Sequence, residues 1–146
     1  MDRRRFLLTS VAGALAVPFA ARAQQPAPGW SPAPKGLGAG VSYTIIAGNP
    51  QTGPFTVRAR HPPGHTIGPH WHRHARTVTV LSGRLLIGWG EVWDATNFKE
   101  VRPGESVVVP GFVVHFTAVR EETVLESTMS GAYDIEYVLD ADDPRR

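Results

Sequence analysis

The densest chemistry in this chain is His70-Trp71-His72-Arg73-His74-Ala75-Arg76, with a further histidine at His115. Alternate residues of a strand share a face, so an extended run puts His70, His72, His74 and Arg76 on one side, with Val78 and Val80 continuing that parity into an interior. Side chains two apart on such a face lie about 6.6 Å apart, close enough for two imidazoles to meet one ion. His115 follows His72 by 43 residues, just after the Pro110-Gly111 turn, where a neighbouring strand could close the site. The chemistry expected of this set is the binding of one divalent transition metal ion (Fe, Mn, Ni, Cu or Zn). His61 and His65 flank Pro62-Pro63-Gly64 and are expected in a loop.

The elements that must hold these residues are read as strands. Short runs rich in Val, Ile, Thr and aromatics occupy 41–47, 55–61, 70–81, 84–89, 99–102, 106–109, 113–119, 123–128 and 133–139. Turn signals separate them, among them Gly48-Asn49-Pro50, Ser82-Gly83, Pro103-Gly104 and Pro110-Gly111. Glu91–Asn97 is expected to be a short helix or a turn. About nine strands at this spacing make a sandwich or a barrel.

The spacings resemble those of the cupin superfamily. Its first motif, G-x5-H-x-H-x3,4-E-x6-G, is matched by Gly64, His70, His72, Arg76 and Gly83, and its second, G-x5-P-x-G-x2-H-x3-N, by Gly104, Pro110, Phe112, His115 and Val119. The resemblance covers roughly residues 41–139 and is greatest to small exported single-domain cupins. It implies an all-β, double-stranded β-helix (jelly-roll-like) barrel, metal binding by His70, His72 and His115, and a homodimer, which the unpaired edges of an open sandwich also favour. Three positions depart from the pattern. Arg76 stands where a glutamate ligand is expected, Phe112 where a glycine is, and Val119 where an asparagine is.

Arg76 poses an electrostatic question, because a guanidinium sharing a low-dielectric cavity with a divalent cation is repelled by several kcal/mol. Three arrangements relieve it. His74 could replace the carboxylate as a fourth ligand. Arg76 could swing out, or pair with an inward carboxylate such as Glu126. Or an anionic ligand could bridge the ion and Arg76, making the arginine a carboxylate clamp in a substrate-binding site.

Composition bounds the rest. The chain has 146 residues, enough for one domain, and no cysteine, which excludes disulfides, Cys-based zinc sites, iron–sulfur clusters and thiol catalysis. Met1-Asp2-Arg3-Arg4-Arg5, the apolar run Phe6–Val17 and Ala21-Arg22-Ala23 read as a cleavable signal peptide over 1–23, with Arg3-Arg4-Arg5-Phe6-Leu7 resembling a twin-arginine export signal. The expected location is therefore the periplasm or beyond, with no stable membrane span after cleavage. Loss of 1–23 leaves 11 basic and 12 acidic groups, so the chain's net charge of +2 belongs to the signal. No basic patch with interleaved aromatics remains to bind nucleic acid. Residues 24–40, rich in Pro, Gly and Ala, are expected to be a flexible linker, with Trp30 docking on the domain that occupies 41–146.

No phosphate-cradling loop or nucleophile elbow is recognisable. Two functional classes follow. One is an exported metal-dependent cupin, an oxidoreductase of dioxygenase type on a small organic and anionic molecule. The other is a non-catalytic barrel that binds or senses a metal or small molecule, a reading that the missing carboxylate ligand favours.

Overall fold

A computed structural model describes residues 29–146. Among the described residues the chain forms eleven strands: β1 (Ser31–Pro32), β2 (Ser42–Gly48), β3 (Phe55–His61), β4 (Thr66–Trp71), β5 (Arg76–Ser82), β6 (Leu85–Trp89), β7 (Lys99–Val101), β8 (Ser106–Val109), β9 (His115–Ala118), β10 (Thr123–Met129) and β11 (Glu136–Tyr137). They build two antiparallel sheets, one in the order β1-β2-β3-β10-β5-β8 and the other β11-β4-β9-β6-β7. Among the described residues helix is confined to two single 3-10 turns at Lys35–Leu37 and Asp140–Asp142, and residues 91–97 form bends and a turn. No helix among the described residues is long and apolar enough to cross a membrane.

Period-two alternation builds the interior. Val78 and Val80 of β5, Leu85 and Ile87 of β6, Val107 and Val109 of β8 and Leu125 of β10 all point between the sheets and pack as one apolar cluster. Val119, where the motif has asparagine, joins that cluster at 3% exposure.

The run 70–81 is not one strand. It breaks after Trp71 and resumes at Arg76 in the opposite sheet. The corner between is held from three sides. The Asp134 carboxylate accepts the Arg73 N–H at 3.0 Å, the His72 carbonyl accepts the Phe112 N–H at 2.7 Å, and the Ala75 carbonyl accepts the Ser130 N–H at 3.1 Å. Phe112 is the one non-glycine residue with a positive φ among the described residues, at +62°. The backbone bend that glycine serves in the motif is therefore kept here by a phenylalanine, which stacks on Trp71 with ring centroids 5.4 Å apart.

The segment expected to be a linker is, from Gly29 on, part of the domain. β1 pairs with β2, Trp30 lies under the Arg60 guanidinium at 4.8 Å, and the buried Gly36 accepts a hydrogen bond from the Tyr137 hydroxyl at 2.5 Å. A β-carbon at Gly36 would lie 2.6 Å from Ile135, so the strap 31–37 seats closely on the chain's last third. Residues 1–28, which include the stretch expected to be a signal peptide, lie outside the described residues.

Candidate metal centre

His70, His72 and His115 converge. His70 and His115 face each other as a registered pair across β4 and β9, and His72 follows where the chain leaves β4. A β-bulge makes this possible. The β4–β9 register slips between Ile67 and His70, so Ile67 and His70 both point inward although three residues apart. The three imidazoles are 1–2% exposed, and one ligand atom from each lies within 4.8 Å of the others.

Each ring is oriented by its second nitrogen. Nδ1 of His70 donates to the Gly68 carbonyl at 2.7 Å, Nδ1 of His72 to the Asp134 carbonyl at 2.5 Å, and Nδ1 of His115 to the Val113 carbonyl at 2.9 Å. A carbonyl only accepts, so all three Nδ1 atoms carry protons and all three Nε2 atoms present lone pairs to the shared space. Backbone anchoring of this kind fixes the tautomer that metal-ligating histidines need. The C-terminal tail braces the arrangement, since Asp142 packs so tightly on Gly68 that a β-carbon there would meet it at 2.7 Å.

Burial keeps the rings neutral. Desolvation, joined by neighbouring histidines and Arg76, holds His70 well below the ordinary imidazole value, lowers His72 to about 3, and lowers His115 to about 4. The Nε2 atom of His115 is buried without any hydrogen-bond partner. An orphaned buried acceptor beside two others, on rings whose tautomers are fixed, fits a divalent transition ion.

Arg76 points into the same interior from β5. Its Nη1 donates to Nε2 of His72 at 3.2 Å, while its buried Nε has no partner. No carboxylate pairs with Arg76 among the described residues, and desolvation lowers its guanidinium to about 10. The His72 lone pair cannot serve both the arginine and an ion, so metal occupancy requires Arg76 to release His72. The arginine is then a cation in need of an anion.

The other expected site residues fall elsewhere. His74 is exposed at the corner between the sheets, its ring over Gly131, outside the three-histidine group; the strand break is the reason. Glu126 lies on the outer face of β10 and pairs with Arg58 at 3.0 Å, not with Arg76, because Leu125 and Ser127 take the inward positions. His61, expected in a loop, is instead the buried end of β3. It lines the interior, and its Nδ1 lies 3.2 Å from Nδ1 of His65. The alternation Phe55, Val57, Ala59, His61 carries that placement in the sequence. Tyr133 also reaches the interior, with its hydroxyl buried and unpartnered; nothing in its spacing marked it.

A family model for cupins matches residues 41–130. The chain belongs to the cupin family. Solved structures share the fold at low identity. KdgF from Halomonas sp. is 20% identical, with 73% of this chain and 88% of that one covered and a TM-score of 0.57. An RmlC-like cupin from Shewanella frigidimarina is 23% identical over 67% of this chain and 82% of its own, with a TM-score of 0.56. Oxalate oxidase in complex with glycolate is 23% identical over 74% and 60%, with a TM-score of 0.53. No curated protein matches this cupin in sequence.

Proposed function

We propose that this cupin is an exported metal-dependent oxidoreductase acting on a small organic acid. One observation carries the reading: three buried imidazoles converge through fixed Nε2 lone pairs, with a guanidinium that has no carboxylate partner beside them. His70, His72 and His115 would hold one Fe, Mn, Ni, Cu or Zn ion, and the three-ligand set leaves positions for water or substrate. When bound, a redox-active ion would supply oxygen chemistry, and a redox-inert one Lewis acidity. Arg76 would release His72 and take the negative charge of the substrate by paired N–H donors. Oxalate oxidase, of similar fold, is known in complex with the small carboxylate glycolate, which supports an acid as the ligand class. The twin-arginine-like start supports export to the periplasm after folding, and the open sheet edges support a homodimer.

The test loads the purified protein with each of the five metals in turn. Oxygen uptake and product formation are then followed with a panel of small carboxylates. The proposal expects turnover with one redox-active metal, abolished in His115→Ala. Saturable binding with no turnover under any metal would instead establish a binding barrel, the reading favoured by arginine in place of the carboxylate ligand.

A further inference from the structure

Two cavities meet behind the histidines. The inner one, about 50 Å³, lies between the sheets and is reached by His61, His70, Arg76 and Ser127. That is room for one or two waters or a single carboxylate group. The outer one, a cleft of about 330 Å³, opens at the β2–β3 edge of the larger sheet. Leu37, Phe55, Val57, Ala59 and Tyr133 line both, so the two cavities adjoin along these five residues; the inner one is otherwise walled by apolar side chains such as Ile67, Leu85 and Met129, into which Arg76 and the histidines project.

The sheet register orders the path. Phe55 pairs with Met129, and Met129 with Arg76, so Arg76 lies two strands across from the cleft on the same inner face. At about 4.8 Å per strand that separation is roughly 10 Å. The cleft is walled by Leu37, Ile45, Phe55 and Val57, with Asn49 and Gln51 at its rim. Ile45 is left 45% exposed on this face. At the polar end, the Arg76 Nε and the Tyr133 hydroxyl are each buried without a partner. Tyr133 is pushed up to about 12 by burial, so its hydroxyl keeps its proton and donates.

The geometry points to an amphipathic monocarboxylic acid as the ligand, its carboxylate between Arg76 and the Tyr133 hydroxyl and its apolar chain or ring in the cleft beneath Leu37. The inference rests on the proposed function for the acid's reaction at the ion but not for its binding. Each half of the site is incomplete without such a molecule. The buried guanidinium has no counter-charge, and the cleft is apolar surface that a chain of several carbons would cover. An acid without a tail leaves the cleft wet, and a tail without an acid leaves Arg76 unpaired, so both features together set specificity. Strap residue Leu37 is the specificity-determining contact, because it lines both cavities where the tail would leave the inner one.

The test is titration calorimetry on the exported protein, metal-loaded and metal-stripped, with acetate, butanoate, hexanoate and hexan-1-ol. Affinity is expected to rise about fourfold per methylene from acetate to hexanoate. Hexan-1-ol should bind at least about tenfold more weakly than hexanoate. That preference should vanish in Arg76→Met, and Tyr133→Phe should weaken hexanoate several-fold. Leu37→Ala should flatten the chain-length dependence. Melting curves and metal content check that each variant is folded. Equal affinity for acetate and hexanoate, or an anion preference that survives Arg76→Met, would overturn the inference. So would a dimer that Ile45→Asp splits, with hexanoate binding to neither form, since a second copy would then cover the cleft. Hexanoate binding by a protein that takes up no metal upholds this inference and removes the proposed reaction. Metal uptake without chain-length dependence does the reverse.

Discussion

The two ends of this barrel are built from the same alternating strands and are chemically opposite. At one end Val78, Val80, Ile87, Val101, Val107 and Val109 pack into one apolar cluster, whose Leu85 and Leu125 reach the inner cavity. At the other, the buried His61, His70, His72 and His115 gather with the partly buried Arg76 and Tyr133, and three of their polar atoms have no partner. Burying such groups costs free energy that the apolar end must offset. The contrast shows a division of labour along one set of strands. The apolar end stabilises the fold, while the polar end is left with buried donors and acceptors unsatisfied.

The largest effect expected of a single substitution comes from the apolar end. Ile87→Ala should lower unfolding free energy by about 2–5 kcal/mol, read by urea denaturation, with metal bound per folded molecule unchanged. Loss of metal at constant stability would mean that the two ends are not separable.

Acid should act on the polar end alone. The buried histidines titrate near 6.5 when unfolded, and His61, His72 and His115 titrate at about 3, 3 and 4 when folded. Between those values the unfolded chain binds more protons, so stability falls as pH falls. The metal-free protein should lose up to about 1.4 kcal/mol per pH unit for each neutral histidine, from about pH 6.5 down towards pH 4. Denaturation series at pH 7, 6 and 5 measure this; a flat profile would mean these rings are solvated.

Arg76→Met sharpens the comparison by making the polar end more like the apolar one. Removing an unpaired buried cation offsets the lost bond to His72, so metal-free stability should stay level or rise by about 1 kcal/mol. A loss above about 3 kcal/mol would assign Arg76 to structure. The smallest effect is at the corner. Phe112→Gly relieves a positive φ and loses a half-exposed stack on Trp71, so its net change should stay within about 1 kcal/mol by thermal melting.

The apolar end was legible in the sequence because period-two alternation alone specifies it. Strands over 55–61 and 106–109 occur where the residues predict them. The polar end was legible only in part. The two spaced histidine motifs identify His70, His72 and His115, but counting parity along one long strand also places His74 inside. The structure breaks that strand at a corner held by Asp134, Phe112 and Ser130, none of them close to His74 in sequence. The bulge at Gly68-Pro69 and the partnership of Glu126 with Arg58 are likewise long-range outcomes of register. The strap 31–37 looked like linker by composition, since Pro and Gly signal flexibility until a buried Gly36 finds its surface.

The most direct test of the three-histidine centre is the metal content of the purified protein, by elemental mass spectrometry, beside a His70→Ala/His72→Ala control. The account predicts about one equivalent of a single transition metal per chain, absent from the control. Equal metal in both proteins, or none in the wild type after incubation with each candidate ion, would contradict it.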